Sequence, residues 1–218
     1  MSESTSSFDF NEFIKESKET LVNPKSYFST MKTSGGMVEP LIKAVIYGAI
    51  AGVIAFLWSI LGLGAMGAGF MGGAIGVMAL VWYIIIAVIG LFIGAVILLI
   101  ISSICKGTSD FEANVRVVAA VMVIMPISAL LGFTMGINSI LGSIVMLAVN
   151  LFALWLLYNG LVEALKAKPE TARIVMYVLA ALFVLFMIIG MGTRNSFNKY
   201  LDSNKDVREL MKDLEDNN

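Results

Sequence analysis

The stretch IGVMALVWYIIIAVIGLFIGAVILLIISSI, from Ile75 to Ile104, contains no charged residue and no proline, and it decides the fold class. A helix rises about 1.5 Å per residue and needs about 20 apolar residues to cross a hydrocarbon core about 30 Å thick. This segment is longer than that, so it demands tilt or an unwound beginning. The same signature repeats outward from it. No charge falls between Lys43 and Lys106, between Arg116 and Glu163, or between Arg173 and Arg194. Each gap has room for at least one crossing.

Composition points the same way. The chain is 58% apolar and 14% charged, whereas a soluble domain averages about 45–50% and about 25%. Its fifteen Lys and Arg are interleaved with sixteen acids, for a net charge of −1. Phosphate binding needs a clustered basic surface, so nucleic acid is excluded as a partner. The one cysteine, Cys105, has no intrachain disulfide partner and leaves the redox compartment open. The first 40 residues are polar and mixed in charge, without the basic start, apolar stretch and small-residue cleavage site of a secretory signal. The first apolar segment is therefore expected to be a permanent span.

Five spans are expected, at about Leu41–Leu63, Ile75–Ile104, Val115–Met135, Ile140–Leu161 and Ile174–Met191. Pro40 suits a helix start, because its missing N–H would have no partner there. Gly62 to Gly76 carries seven glycines, each costing about 1 kcal/mol in a helix relative to alanine, and its centre is read as a turn at the membrane surface. Gly136 to Ser139 makes a tight helical hairpin, with Asn138 or Ser139 as N-cap. In the fifth span, eleven of eighteen residues are Leu, Ile, Val or Phe, which commits it to the bilayer by roughly −3 kcal/mol. The fold class is thus an all-α, polytopic integral membrane helical bundle of about five transmembrane helices.

Lys and Arg lie on alternate loops: Lys25, Lys32 and Lys43, then Lys106 and Arg116, then Lys166, Lys168 and Arg173. The positive-inside rule then places the N-terminus in the cytoplasm and, after five crossings, the C-terminus outside. The tail's Arg194, Lys199, Lys205, Arg208 and Lys212 run against this, but the flank and loop charges outnumber them. Three regions follow: a cytoplasmic arm over 1–40, a membrane domain over 41–191 and an acidic amphipathic tail over 192–218. In the arm, Asp9 and Glu12 have capping-box spacing, and Phe10, Phe13, Ile14, Ser17 and Leu21 share a helical face suited to a membrane surface. Asn23-Pro24 reads as an N-cap and first helical residue, with Tyr27, Phe28 and Met31 on the next stripe. In the tail, Ser203 and Asp206 repeat the capping spacing ahead of Val207, Leu210, Met211 and Leu214.

Small residues recur four apart: Ala44, Gly48 and Gly52, then Gly90 and Gly94, then Ser128, Gly132 and Gly136. Such ridges let helices approach closely in lipid, either in a dimer or, the plainer reading in a chain with 20 glycines, inside one bundle. Pro126 frees the carbonyl of Met122 and predicts a kink. Asn150, near the middle of the fourth span, and Asn159, near its end, are candidate intramembrane polar sites or interhelical glue. The chain has no histidine and no acid inside any expected span. No ligand set for a transition metal, no cofactor site and no buried general acid or base follow from it, and proton-driven transport is disfavoured. The loop acids Asp110, Glu112, Glu163 and Glu170 are expected to be solvated or paired with neighbouring Lys and Arg.

Leu21-Val-Asn-Pro-Lys-Ser-Tyr-Phe28, ahead of the first span, resembles the lead-in of the Yip domain family, the Ypt/Rab-interacting membrane proteins and their prokaryotic relatives. Phe111 through Arg116 and Pro126 to Leu157-Tyr-Asn-Gly-Leu161, then Ala172 opening the last span, look like that family too. The resemblance covers most of residues 21–190 as diffuse apolar blocks. It implies a five-span bundle with a cytoplasmic N-terminus and, in eukaryotes, vesicle traffic, Rab-type GTPase binding and membrane shaping. This chain lacks a Tyr-Gly-Pro motif before the first span and has a short arm, which speaks against GTPase binding and for a bacterial or archaeal relative in the cytoplasmic membrane. The resemblance brings no catalytic residues with it. The function expected is a non-enzymatic scaffold that organises a bilayer, a homo-oligomer or a membrane-protein partner. The competing expectation is a channel or uniporter for a small solute.

Overall fold

The computed structural model describes residues 8–63 and 72–203, by backbone path alone at 72–77, 79 and 191–203. Two short helices, α1 (Phe10–Val22) and α2 (Pro24–Thr30), precede the membrane helices. Asp9 caps α1 by accepting from the amides of Asn11 and Glu12 at 2.8 and 3.2 Å. Pro24 opens α2 directly after Asn23. The long helices are α3 (Val38–Ile60), α4 (Gly72–Ile104), the broken run α5 (Phe111–Val121), α6 (Ile124–Leu131) and α7 (Thr134–Ile137), then α8 (Ser139–Asn159) and α9 (Pro169–Ser203). Five segments are long and apolar enough to cross a membrane: Val38–Ile60, Leu80–Ile104, Phe111–Ile137, Ser139–Ala164 and Pro169–Gly190.

The boundaries differ from the expected ones for local reasons. α3 begins at Val38, which leaves Pro40 inside the first turn, where amides lack partners anyway. The third crossing starts earlier, at Phe111, because Asp110 caps it by accepting from the Ala113 amide at 2.7 Å. Pro126 interrupts it as its missing N–H dictates: the Met122 carbonyl accepts instead from Met125 N at 2.9 Å, and the helix breaks at Met122 and Val123. A second break at Gly132 is held from across the bundle, where the Trp58 indole donates to the Ala129 and Leu130 carbonyls at 3.0 and 3.1 Å. Asn138 is the cap of α8, accepting from Ile140 and Leu141. The centre of the glycine-rich loop and the Ser203–Leu214 pattern lie outside the described residues. α9 runs past Met191 to Ser203, with no proline after Pro169 to stop it.

Two cores hold the first unit, Met1–Ala180. One brings Phe13 of α1 and Tyr47 of α3 against Leu91 and Ala119. The other packs Phe28 with Leu98, Val117, Leu161 and Met176. α5 is the hub, touching α1, α3, α4 and α8 and the π-helical turn Gly160–Ala164 that ends α8. Outside these cores the helices are greasy on the exterior: Trp82, Ile86, Ile93 and Ile97 of α4 are about half exposed. In water such a continuous patch would be a liability, whereas in a bilayer it is the lipid-facing surface. The second unit, Ala181–Asn218, includes the later turns of α9, whose Phe183, Phe186 and Ile189 are likewise exposed.

At the arm end, α4 and the π turn close with lysines in the left-handed region, Lys106 at φ 58° and Lys166 at φ 57°. The two turns are bonded to each other, Thr108 N to Leu165 O and Lys168 N to Cys105 O, both at 2.8 Å. Cys105 is wholly inaccessible there, and burial pushes its thiol up from the ordinary value. Maleimide–polyethylene glycol should therefore leave the intact protein unmodified at pH 7 and label it fully once SDS unfolds it. Rapid labelling of the native protein, read as a gel shift, contradicts this packing.

Candidate functional site: a buried ion cluster beneath the N-terminal arm

Burying a charge is costly unless it is paired and hydrogen-bonded, so buried cations mark places where the fold has made special provision. Lys43 and Arg116 are 7% and 6% exposed. Two helical i, i+4 pairs supply the first partners. Lys43 Nζ lies 2.7 Å from Glu39 Oε1 on α3, and Arg116 Nε lies 3.1 Å from Glu112 Oε1 on α5. Tertiary contacts then join them. Arg116 Nη1 reaches Glu39 Oε2 at 2.9 Å, and Lys43 Nζ donates to Glu16 Oε2 of α1 at 2.6 Å.

The loop between α2 and α3 completes the cluster. Arg116 Nη2 donates to the Gly36 carbonyl at 2.8 Å, and the Gly36 amide donates to Glu112 Oε1 at 2.6 Å. Gly35 and Gly36 sit at φ 130° and 95°, where side chains are strained. A Cβ at Gly35 would also lie 3.1 Å from Arg116 Nη2. The glycine pair thus lets the chain cross directly over the guanidinium, whose flat fork serves three acceptors at once.

Around this cluster the arm is docked rather than free. Phe13 stacks on Tyr47 with ring centroids 5.1 Å apart. Ser17 gives its one proton to the Phe13 carbonyl at 2.6 Å, so the Tyr47 hydroxyl donates to Ser17 at 2.7 Å. Of the apolar face expected on α1, Phe13 is therefore spent on the bundle, and Phe10 and Ile14 remain exposed. Tyr27 is buried, and that burial, followed by the Glu16 carboxylate, pushes its phenol well above the ordinary value. A cavity of about 430 Å³ lies between arm and bundle, lined by Glu16, Tyr27, Glu39, Lys43 and Arg116 among others. Every charge in the cluster already has a partner, so the geometry is that of a clasp. Among the described residues, no group of three or more potential metal ligands exists.

The residues singled out from sequence are spread through the bundle. At Gly48 an added Cβ would lie 2.7 Å from Ala87 Cβ, and at Gly52 3.1 Å from Tyr83 Cβ, so both serve the α3–α4 contact. Gly94 faces Val118 of α5, Gly136 faces the Leu63 backbone, and Gly132 meets only the Ala129 and Ser128 backbone one turn before it. Gly90 has nothing within 4 Å. Asn150 is exposed and donates to the Met146 carbonyl of its own helix at 2.8 Å, and it lines neither cavity described in this protein. Asn159 is buried and donates to Trp155 O at 2.7 Å. Pro126 lies in α6, ten residues after Arg116 on the same crossing, and takes no part in the clasp.

The clasp itself was not anticipated from sequence. Both i, i+4 pairs and the Gly-Gly step are visible there, but nothing local shows that they converge. Of the loop acids, Glu112 is paired as expected, though with a buried rather than surface cation, and Glu163 lies 3.9 Å from Lys25 of the arm.

The blocks that carry the family resemblance meet in space. Phe28, 1% exposed, covers Gly160, where a Cβ would stand 2.5 Å from Val117 Cγ1 and 3.4 Å from Phe28 Cε1. The lead-in before the first span, the start of the third crossing and the end of the fourth are therefore one packing unit. The family model of the Yip1 domain matches residues 18–191. No curated protein and no solved structure matches the chain. Because the matched region runs from the last turns of α1 through all five crossings, the chain is a multi-pass membrane protein that belongs to the Yip1 domain family.

Proposed function

We propose that this protein is a non-enzymatic membrane scaffold, a bacterial or archaeal member of its family, that holds its N-terminal arm at the cytoplasmic surface to organise lipid or a membrane-protein partner. The observation that carries this reading is the clasp, in which two buried cations and three carboxylates fix the arm on the bundle. The cytoplasmic placement rests on Lys25, Lys32, Lys106, Lys166, Lys168 and Arg173, which all flank the arm end of the bundle. Support against a solute pathway comes from Asn150, which donates to the Met146 carbonyl of its own helix and is exposed on the bundle exterior.

Reconstitution tests the reading. Vesicles carrying the purified protein should take up potassium, chloride and glycerol no faster than empty vesicles. Crosslinking in native membranes should recover a defined partner complex that is lost when Arg116→Met releases the arm. Rapid uptake abolished by Asn150→Leu would overturn the scaffold in favour of a channel or uniporter.

A further inference from the structure

We propose that the groove between α8 and the first turns of α9 binds one anionic glycerophospholipid, with its phosphate on Arg173 and an acyl chain along Leu154 and Met176. The groove has a volume of about 300 Å³ and is lined by Leu154, Trp155, Tyr158, Arg173, Met176 and Tyr177, among others. That volume is at the small end of ligand pockets, enough for one chain and too little for a partner helix.

Its position in the membrane sets the polarity of the occupant. The last span begins at Pro169, so Arg173 lies about 6 Å along the helix, at headgroup depth, and Ala180 at the other end of the groove lies about 10 Å deeper. The inner surface is apolar, with Leu154 and Met176 each less than a tenth exposed. A hydrocarbon chain is the only abundant solute at that depth. Trp155 and Tyr177 are about half and two-thirds exposed, so the groove opens sideways into lipid rather than into water.

Charge at the mouth selects the headgroup. Arg173 has no ion pair or hydrogen bond among the described residues, and Glu170, one turn before it, does not pair with it. Lys43 and Arg116 are committed to the clasp and Lys166 donates to Glu163 O, while Lys106 and Lys168, which also have no ion pair among the described residues, do not line the groove. An unpartnered guanidinium beside the phenols of Tyr158 and Tyr177 offers a phosphate a planar fork and two further donors. Basic pockets between membrane helices are suited to anionic headgroups for this reason. The site requires only that α8 and α9 span the membrane, and it stands whether or not the protein is a scaffold.

Trp155 provides a built-in reporter. The full-length protein is reconstituted in phosphatidylcholine vesicles doped with either brominated phosphatidylglycerol or brominated phosphatidylcholine at equal fraction. The contribution of Trp155 is isolated by subtracting the Trp155→Phe variant, which retains Trp58 and Trp82. Quenching of Trp155 should show a preference of about fivefold for the brominated anionic lipid. Arg173→Gln should equalise the two lipids and Arg173→Lys should retain most of the preference, both with unchanged helicity because Arg173 supports no other residue. Equal quenching in the wild type, or a preference that survives Arg173→Gln, overturns the proposal. Neither result bears on the scaffold, which the uptake and crosslinking measurements test separately.

Discussion

Methionine in place of Arg116 lowers the melting temperature of the detergent-purified protein by roughly 5–10 °C and opens the N-terminal arm to trypsin. The side chain is 6% exposed and serves Glu39, Glu112 and the Gly36 carbonyl together. Removing one member of a fully buried pair costs about 3–5 kcal/mol, because the partner is left charged and unpaired. Here the stranded carboxylates are less deeply placed, with the Glu39 and Glu112 side chains 42% and 26% exposed, so water recovers part of the loss. About 2–3 kcal/mol remains, and each kcal/mol moves the midpoint of a chain this long by about 2–4 °C. Cleavage should appear first at Lys32, between α2 and the Gly-Gly crossing. Arg116→Lys should recover only part of the stability, since a single ammonium does not reproduce the fork. An unchanged melting curve together with an unchanged cleavage pattern would show that the arm is held by its apolar contacts alone.

Gly48→Leu has the second large effect, and Gly90→Leu is its control. Both positions belong to small-residue ridges of the same four-residue spacing. At Gly48 even the first carbon of a side chain would meet Ala87 Cβ at 2.7 Å and the Tyr83 carbonyl at 3.1 Å. The backbone oxygen is fixed by its helix, so α3 and α4 must separate to admit a leucine. Overpacking costs about 1–3 kcal/mol, and separation also forfeits the close packing that drives helix association in lipid. The variant should melt roughly 5–10 °C lower or fail to elute as a single species. Gly90→Leu places its side chain where no atom lies within 4 Å and should leave melting unchanged. Equal damage from both substitutions would refute the assignment of Gly48 to the bundle interior and of Gly90 to its exterior.

These two variants also show where sequence is informative and where it is not. The crossings could be read because exclusion of charge from hydrocarbon is a property of a segment alone. Asp9, Asn138 and Pro126 could be read for the same reason, since each acts within one turn of its own helix. The ridge spacing could not separate Gly48 from Gly90, because closeness depends on which helix lies opposite. It also passed over Gly142, where a Cβ would stand 2.7 Å from the Met135 backbone and which has no small residue four positions away, and Gly160 under Phe28, whose small neighbour Ala164 lies at the end of the π turn. The clasp was the hardest to foresee. Its two helical pairs are local, but Glu16, Lys43 and Arg116 lie on three elements, and it takes the packing of α5 on α3 and the docking of α1 to bring them together.

The two turns cross-bonded at the arm end set a rule for sequence change. Thr108 N to Leu165 O and Lys168 N to Cys105 O are main-chain bonds, which no exchange of side chains removes. Thr108 and Lys168 can accordingly drift to almost any residue while the hairpin formed by α4 and α5 stays fastened to the one that leads into α9. Proline is the exception, since it alone lacks the amide. The fold thus carries a fastener that leaves almost no trace in composition and is closed to a single amino acid.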